Sequence, residues 1–295
     1  MKSAFIALIG RPNAGKSSIL NRLVGEKVSI VSPKPQTTRD KIMGVVNGED
    51  FQLIFTDTPG IHTPKNKLDT YMQKCVRQAS EDVDGILVII DAERGLSNKE
   101  IETIEACLQK DTDVFVAVNK TDLVKKEVVF KILEQLSPLA ARQNGIKEIF
   151  PVSAKNNVNI DILLNGLKTC LKEGVRYFPE DEYTDKPIRF VIAETIREKA
   201  LWYLQDEIPH GVGVYIQKIS EGDIYSIEAD IICEKESHKR IIIGEDGSMI
   251  KKIGASARID IQKLVDKKVF IKLFVKVRED WRNRASYIKD IGYDD

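Results

Sequence analysis

Apolar residues are arranged in two different ways along the 295-residue chain. In the first part they form short runs at 4–9, 85–90 and 114–118, each bounded by polar or glycine-bearing segments. Runs of that length predict strands buried on both faces, as in a parallel sheet covered by helices. A further strand is expected at 148–152, with helices over 18–24, 69–80, 97–110 and 159–171 between and after the strands. Two more strand-like runs, 41–46 and 51–56, flank Asn47-Gly48-Glu49-Asp50, a hairpin turn signal.

Beyond residue 187 alternation replaces the unbroken runs. Val212, Val214 and Ile216 form one alternating set, and Ile227, Ala229, Ile231 and Cys233 a second, with Glu221-Gly222-Asp223 turning between them. That pattern predicts antiparallel strands packed on one face only. Ile192, Ile196, Ala200, Leu204 and Ile208 make an i, i+4 row that predicts one helix ended by Pro209. A short helix at 237–243, the turn Gly244-Glu245-Asp246-Gly247, a longer helix at 248–265 and a strand through Val269, Ile271, Leu273, Val275 and Val277 complete the unit. Expected, then, is an α/β domain at 1–174 with a mostly parallel sheet and helices on both faces. A polar, proline-bracketed linker follows at 175–187, then an α+β domain at 188–278 and a C-terminal helix or tail at 279–295.

The first run leads into Gly10-Arg11-Pro12-Asn13-Ala14-Gly15-Lys16-Ser17, and Ser18 continues into the first helix. A glycine-bearing turn between strand and helix points several backbone N–H groups, and the positive end of the helix, at bound phosphate. Lys16 then reaches the terminal phosphates and Ser17 supplies a hydroxyl to Mg²⁺. The later loops fall on the same edge of the sheet. In Ser32-Pro33-Lys34-Pro35-Gln36-Thr37-Thr38-Arg39-Asp40, Thr38 is the candidate for a second Mg²⁺ hydroxyl, with Thr37 competing. Asp57-Thr58-Pro59-Gly60 offers a carboxylate that holds Mg²⁺ through water and a Gly60 N–H that senses the γ-phosphate. Ile61 stands where a water-orienting glutamine is common and cannot hydrogen-bond that water, so slow intrinsic turnover is expected.

Asn119-Lys120-Thr121-Asp122 closes the base site. The Asp122 carboxylate matches the N1–H and 2-amino donors of guanine, which adenine lacks, while the Lys120 stem lies along the base. Ser153-Ala154-Lys155 caps the guanine O6 from the other side. These residues imply a GTPase with GTP or GDP and Mg²⁺ as ligands, Lys16, Thr38 and Gly60 contributing to catalysis, and no evident general base.

Charge bears mainly on the second domain. The chain has 45 basic and 45 acidic residues, yet from Lys235 to Arg278 there are 12 basic and 5 acidic ones. The order helix, strand, strand, helix, Gly-x-x-Gly, helix, strand is that of a KH module, which grips single-stranded RNA. Gly244 and Gly247 with Lys239, Arg240, Lys251 and Lys252 are its candidate RNA contacts. Glu245 and Asp246 oppose phosphate there, so those cations and the backbone N–H groups have to compensate. Trp281, Arg282 and Arg284 lie on an expected last helix that either extends the RNA surface or packs on the module.

The widely spaced Cys75, Cys107, Cys170 and Cys233 suggest buried free thiols rather than disulfides or zinc ligands, and the three histidines are isolated. No apolar run is long enough to cross a bilayer, and the first strand starts too early to leave room for a signal peptide, so a cytoplasmic protein is expected.

With these motifs assembled, the chain resembles the bacterial Era GTPase family over essentially its whole length. Beside the nucleotide motifs, the likeness is carried by the Phe-Pro-Glu-Asp-x-Tyr-Thr-Asp linker and by Ile-Arg-Glu-Lys at 196–199. The resemblance implies a P-loop GTPase domain followed by a type II KH domain that binds the 3′ end of small-subunit ribosomal RNA during maturation of the pre-small subunit. It also implies peripheral inner-membrane contact in some members and K⁺ held near the phosphates by Asn13; a monomer is expected. Glu245 and Asp246 depart from the family, where a basic residue is commoner. Two rival readings remain. In one the second domain docks on a protein or membrane surface; in the other the protein is a GTP-binding scaffold with negligible turnover.

Overall fold

The computed structural model describes residues 1–34, 36–60, 64–79 and 81–293. They pack as two units that are not contiguous in sequence. The first comprises Met1–Val31, Asp40–His62 and Gln73–Asp185, the second Ser32–Arg39, Thr63–Met72 and Lys186–Asp295.

In the first unit β1 (Lys2–Gly10) runs parallel to β3 (Phe51–Asp57) on one side and to β4 (Gly85–Asp91) on the other. β5 (Asp113–Asn119) and β6 (Glu148–Pro151) extend the parallel set, while β2 (Ile42–Asn47) pairs antiparallel with β3. The order is β2-β3-β1-β4-β5-β6, and the two-residue β7 (Lys172–Glu173) adds to β1. The unbroken apolar runs are explained by two cores, one on each face. Ile6, Leu8, Leu87, Ile89, Phe115 and Ala117 feed one, and their neighbours Ala7, Ile9, Val88, Ile90, Val116 and Val118 feed the other. Each fully buried Leu or Ile contributes about 1.5–3 kcal/mol, so the sheet is a rigid base for the loops at its C-terminal edge.

Helices α1 (Lys16–Val24), α2 (Lys67–Ala79), α3 (Asn98–Leu108), α4 (Lys126–Ala140) and α5 (Ile160–Leu167) link or follow these strands, and the first six residues of α2 group with the second unit. α3 starts with a reciprocal capping box between Ser97 and Glu100. The segment read as a linker is ordered along the β2 edge. Val45 N donates to Tyr183 O (2.9 Å), Met43 N to Asp185 Oδ1 (2.8 Å), and Gln52 Oε1 accepts from Tyr177 N (2.9 Å). Covering that edge removes a row of unpaired backbone groups that would template association.

The second unit has a three-stranded sheet, β10 (Lys268–Val277), β9 (Ile224–Cys233) and β8 (Gly213–Ser220) in that order. β8 and β9 are antiparallel, with a register shift between Ile216 and Lys218, whereas β9 and β10 are parallel. Helices α6 (Ile188–Tyr203), α7 (Glu236–Ile243) and α8 (Ser248–Val265) join it around one core that includes Ile192, Ile196, Ile227, Ile231, Ile253 and Ile261. The expected helix to Pro209 is shorter in the structure. It ends at Tyr203, with Leu204 extended (φ −87°, ψ 151°). Leu204 and Ile208 still enter the core, so their spacing reported burial rather than helix. A last helix, α9 (Ala285–Asp290), follows a single turn at Trp281–Asn283.

Candidate functional site

The phosphate loop is held from behind by its own lysine. Lys16 is almost fully buried, and its Nζ donates to Gly10 O (3.1 Å) and Arg11 O (3.2 Å), closing the loop into a ring. Burial lowers its pKa, and the charge of Asp57 partly offsets that. Gly15 has φ 98°, and a Cβ there would lie 2.2 Å from Asn119 Nδ2, so only glycine fits between loop and asparagine. Ala14 and Gly15 thereby place Lys16, Ser17 and Ser18 in the first turn of α1, with their N–H groups at its positive end. Asn13 turns the chain with φ 65°.

Ser17 and Asp57 are brought together. Ser17 Oγ donates to Asp57 Oδ2 (2.6 Å), which also accepts from Ser29 Oγ (2.8 Å). Two adjacent hard oxygen donors suit Mg²⁺, an ion that takes its remaining ligands from phosphate and water. Among the described residues no group of three or more His, Cys, Asp or Glu forms a separate metal site. Gly60 lies against the loop, since a Cβ on it would be 2.5 Å from Pro12 Cγ. Ile61 and His62 lie outside the described residues.

Asn119 has a role that its motif did not disclose. Its Nδ2 donates to Ala14 O (3.0 Å) and its Oδ1 accepts from Ala154 N (3.1 Å), so one buried amide ties the phosphate loop to the Ser-Ala-Lys loop. Lys120, in the left-handed region at φ 65°, is directed by an ion pair of 2.5 Å to Asp91. Asp122 Oδ1 accepts from Ser153 Oγ (2.6 Å), which orients the carboxylate. Arg22 holds the third loop by donating to Ala154 O (2.8 Å) and Lys155 O (3.1 Å). Asp91, Ser29 and Arg22 are thus supporting residues that no motif marks.

Thr37, Thr38 and Arg39 belong to the second unit, and the partners that hold Thr37 and Arg39 lie there. Thr37 Oγ1 donates to Lys34 O (2.6 Å), and Thr37 and Thr38 are both buried. Arg39 donates to Val212 O (2.6 Å) and His210 O (2.9 Å) and lies 5.7 Å from the Trp281 ring centroid. Arg197 donates to Thr37 O and to both Glu194 carboxylate oxygens, and Tyr293 donates to Glu194 Oε1 (2.8 Å). Burial, then the neighbouring Arg197, lowers the Arg39 pKa to about 10. Trp281 is fully buried, with Nε1 donating to Gly211 O (2.9 Å), so this part of the tail packs.

The glycine loop of this unit is open by contrast. Gly244 (φ 74°), Asp246 (φ 49°) and Gly247 (φ 75°) all have positive φ, and Glu245–Gly247 form a single tight turn between α7 and α8. The candidate cations are partly engaged. Lys251 Nζ donates to Asp246 O (3.2 Å), Lys252 Nζ lies 4.4 Å from the Tyr203 ring centroid, and Lys239 is 3.8 Å from Glu236. Arg240 sits in the last turn of α7, with its carbonyl accepting from Gly244 N (2.9 Å). All four cysteines are buried thiols outside any disulfide.

A phosphate loop closed by its own lysine, an aspartate on the loop serine and a carboxylate oriented by Ser153 at the end of the parallel sheet fit a GTPase of the phosphate-loop class, here joined to a KH domain. A family model for a 50S ribosome-binding GTPase matches residues 5–120, and one for a KH domain matches 207–282. The chain is 45% identical over 294 residues to GTPase Era of Clostridium botulinum (strain Eklund 17B / Type B), covering 99% of this chain and 98% of that protein. It is 45% identical over 298 residues to GTPase Era of Clostridioides difficile (strain 630), covering 100% and 99%. A crystal structure of Era in complex with MgGDPNP and nucleotides 1506–1542 of 16S ribosomal RNA superposes with a TM-score of 0.93 at 37% identity, covering 99% of each chain. The same figures hold for a variant of Aquifex aeolicus Era bound to GDP·AlF4⁻. The chain belongs to the Era family of GTPases. Among the described residues no helix is long and apolar enough to cross a membrane.

Proposed function

We propose that this protein is a GTP-binding and GTP-hydrolysing switch that binds the 3′-end region of small-subunit ribosomal RNA through its KH domain and assists maturation of the small subunit. The observation that carries this is the end-to-end likeness, at 37% identity and a TM-score of 0.93, to an Era structure holding both a GTP analogue and that RNA. A cytoplasmic monomer is part of the proposal, with peripheral membrane contact as a further trait of the family.

The residues divide the work. The N–H groups of Asn13 to Ser18 receive the β-phosphate, and Lys16 leaves its two loop carbonyls to meet the terminal phosphates. Ser17 and Asp57 hold Mg²⁺, Asp57 through water, with Thr38 added in the GTP state; the ion neutralises charge on the β- and γ-phosphates. Gly60 N–H bonds the γ-phosphate. Asp122, set by Ser153, accepts from guanine N1–H and the 2-amino group, Lys120 covers the base, and the Ser153–Lys155 loop meets O6. The Asn13 amide oxygen is a hard donor suited to K⁺. Ile61, which cannot hydrogen-bond the attacking water, is the reason slow intrinsic turnover is part of the proposal. Gly244, Gly247, Lys239, Arg240, Lys251 and Lys252 grip the RNA backbone.

The test is titration of labelled single-stranded RNA from the small-subunit 3′ end into protein loaded with GDP or a non-hydrolysable GTP analogue, with scrambled RNA at equal salt. Tighter binding of the specific RNA in the GTP-like state is expected, because coupling between the two sites is reciprocal. Equal binding of scrambled RNA in both states would remove the ribosomal reading and leave a GTPase whose KH domain has another partner.

A further inference from the structure

The three-stranded sheet of the second unit has two faces; the main core uses one, and on the other Trp281 and Ile291 lie against Gly213, in the row of the buried Ile232, leaving the rest of that face without a packed layer. Val269, Ile271, Leu273 and Val275 of β10 point into the core with Ile227, Ala229 and Ile231 of β9. The alternate residues therefore face the other way: Phe270, Lys272, Phe274 and Lys276 on β10, and Glu228 and Asp230 on β9. Register sets them in rows. Asp230 pairs with Phe274 on one side and with Tyr215 of β8 on the other, so a carboxylate lies between two aromatic rings. One row along, Glu228 is flanked by Lys272 and Lys218.

Three features of this face call for a ligand. Phe270 is 55% exposed and Tyr215 36%, on a sheet whose other face is packed against the core. Lys272 and Lys276 hold their ammonium groups 5.0 and 6.0 Å from the Phe274 ring centroid, covering its π-face with cations. Asp230 is only 6% exposed, and its Oδ1 has no hydrogen-bond partner among the described residues. A buried carboxylate oxygen without a donor is costly, and the lysines of the adjacent rows do not supply one.

We infer that this outer sheet face is a second single-stranded RNA surface, separate from the glycine-loop groove, on which unpaired bases stack on Phe270 and Phe274 while Asp230 accepts from an exocyclic amino group. Stacking on aromatic side chains of a sheet, with lysines beside them for phosphate, is a general way of holding unpaired nucleotides. Lysines displaced from Phe274 by a base turn to the backbone phosphates, and four lysines, counting Lys218 and Lys268, outnumber the two acids. Cytosine N4 donates to a carboxylate, whereas uracil presents a carbonyl oxygen at that position, so Asp230 favours cytosine between pyrimidines.

The inference rests on the KH domain being an RNA binder, and the test separates the two. The full chain is titrated with a five-nucleotide RNA, enough for the glycine-loop groove alone, and with the same RNA extended by ten cytidines or ten uridines. The cytidine-extended RNA binds more tightly than the five-mer, and Phe270→Ala with Phe274→Ala removes about tenfold or more of that gain while leaving the five-mer unchanged. Asp230→Asn, whose amide pairs with either base, erases the preference for cytidine over uridine. Phe270→Ala alone, at an exposed position, keeps the experiment valid should the double variant fold poorly. Wild-type affinity of the phenylalanine variants for the extended RNA overturns the second surface and leaves the groove standing. Failure of the wild-type chain to bind any of the three RNAs overturns the RNA reading itself, and this inference with it.

Discussion

The two glycine-bearing turns proposed to meet phosphate, one in each unit, are built in opposite ways. Around Gly10–Ser17 the anchoring contacts are buried or half-buried: Lys16 closes the loop on two carbonyls, and Asn119 fastens it to the Ser-Ala-Lys loop. Around Gly244–Gly247 the side-chain contact on the turn's backbone is Lys251 to Asp246 O, at an exposed site, and the turn carries two acids. The first is organised before its ligand arrives, so its selectivity lies in geometry. The second carries its cations on the surface, partly engaged by side-chain and backbone neighbours, so a grip there is electrostatic, additive over several side chains and weakened by salt.

The largest expected effect is therefore at Lys16. Lys16→Ala removes both the cation for the terminal phosphates and the ring closure of the loop, and two charge-assisted hydrogen bonds of about 1.5–3 kcal/mol each correspond to a loss of about a hundredfold to tens of thousands-fold in GTP affinity or turnover. Isothermal titration and phosphate release measure it. Near-wild-type values would overturn the assignment of the site.

Asn119→Ala comes next and tests whether pre-organisation itself matters. It leaves Ala14 O and Ala154 N without their buried partner, at about 1–3 kcal/mol for each orphaned group. Nucleotide affinity falls about ten- to a hundredfold, with a lower melting temperature in the nucleotide-free protein. A variant that loses stability but binds GTP normally would show that the tie is structural only.

Much of this architecture is legible in the sequence, for identifiable reasons. The runs at 4–9, 85–90 and 114–118 stand out because both faces of those strands are buried, so no polar residue interrupts them. Lys16, Ser17, Asp57 and Asp122 stand out because their chemistry requires a fixed type at a fixed spacing. The failures have several physical causes. Leu204 and Ile208 continue the α6 spacing because they are buried, although the helix has ended. Helix α4 contains Pro138 and a largely exposed, charged first turn, which blurs its period. Arg39, Glu194, Arg197 and Tyr293 come from distant parts of the chain, so their buried network exists only after folding, and spacing carries no trace of it. The same holds for the grouping of residues 32–39 with the second unit.

On the electrostatic side, Glu245→Lys with Asp246→Lys should raise RNA affinity about ten- to a hundredfold at low salt, because about four charge units are added where phosphate is held. The steepness of the dependence on salt concentration should increase as well. Unchanged affinity and slope would mean that this turn does not meet the RNA backbone, and would move the weight of RNA binding to other surfaces of the domain.

Lys251→Ala is the smallest of these effects and the sharpest measure of the contrast, since it removes the same side chain as Lys16→Ala from the other kind of loop. Lys251 is exposed and its bond to Asp246 O, at 3.2 Å, is replaceable by water. Removing a single phosphate contact of that kind costs about two- to fivefold in affinity at moderate salt and lowers the salt slope by about one, with no change in base preference. Filter binding of one RNA at several salt concentrations resolves both quantities. A loss as large as that at Lys16, persisting at high salt, would show that the glycine turn is pre-organised after all, with Lys251 as its closing residue. A small, salt-sensitive loss means that the two loops bind the same chemical group by different physics: one by a fixed cradle, the other by a cloud of charges that the acids at 245 and 246 hold in check.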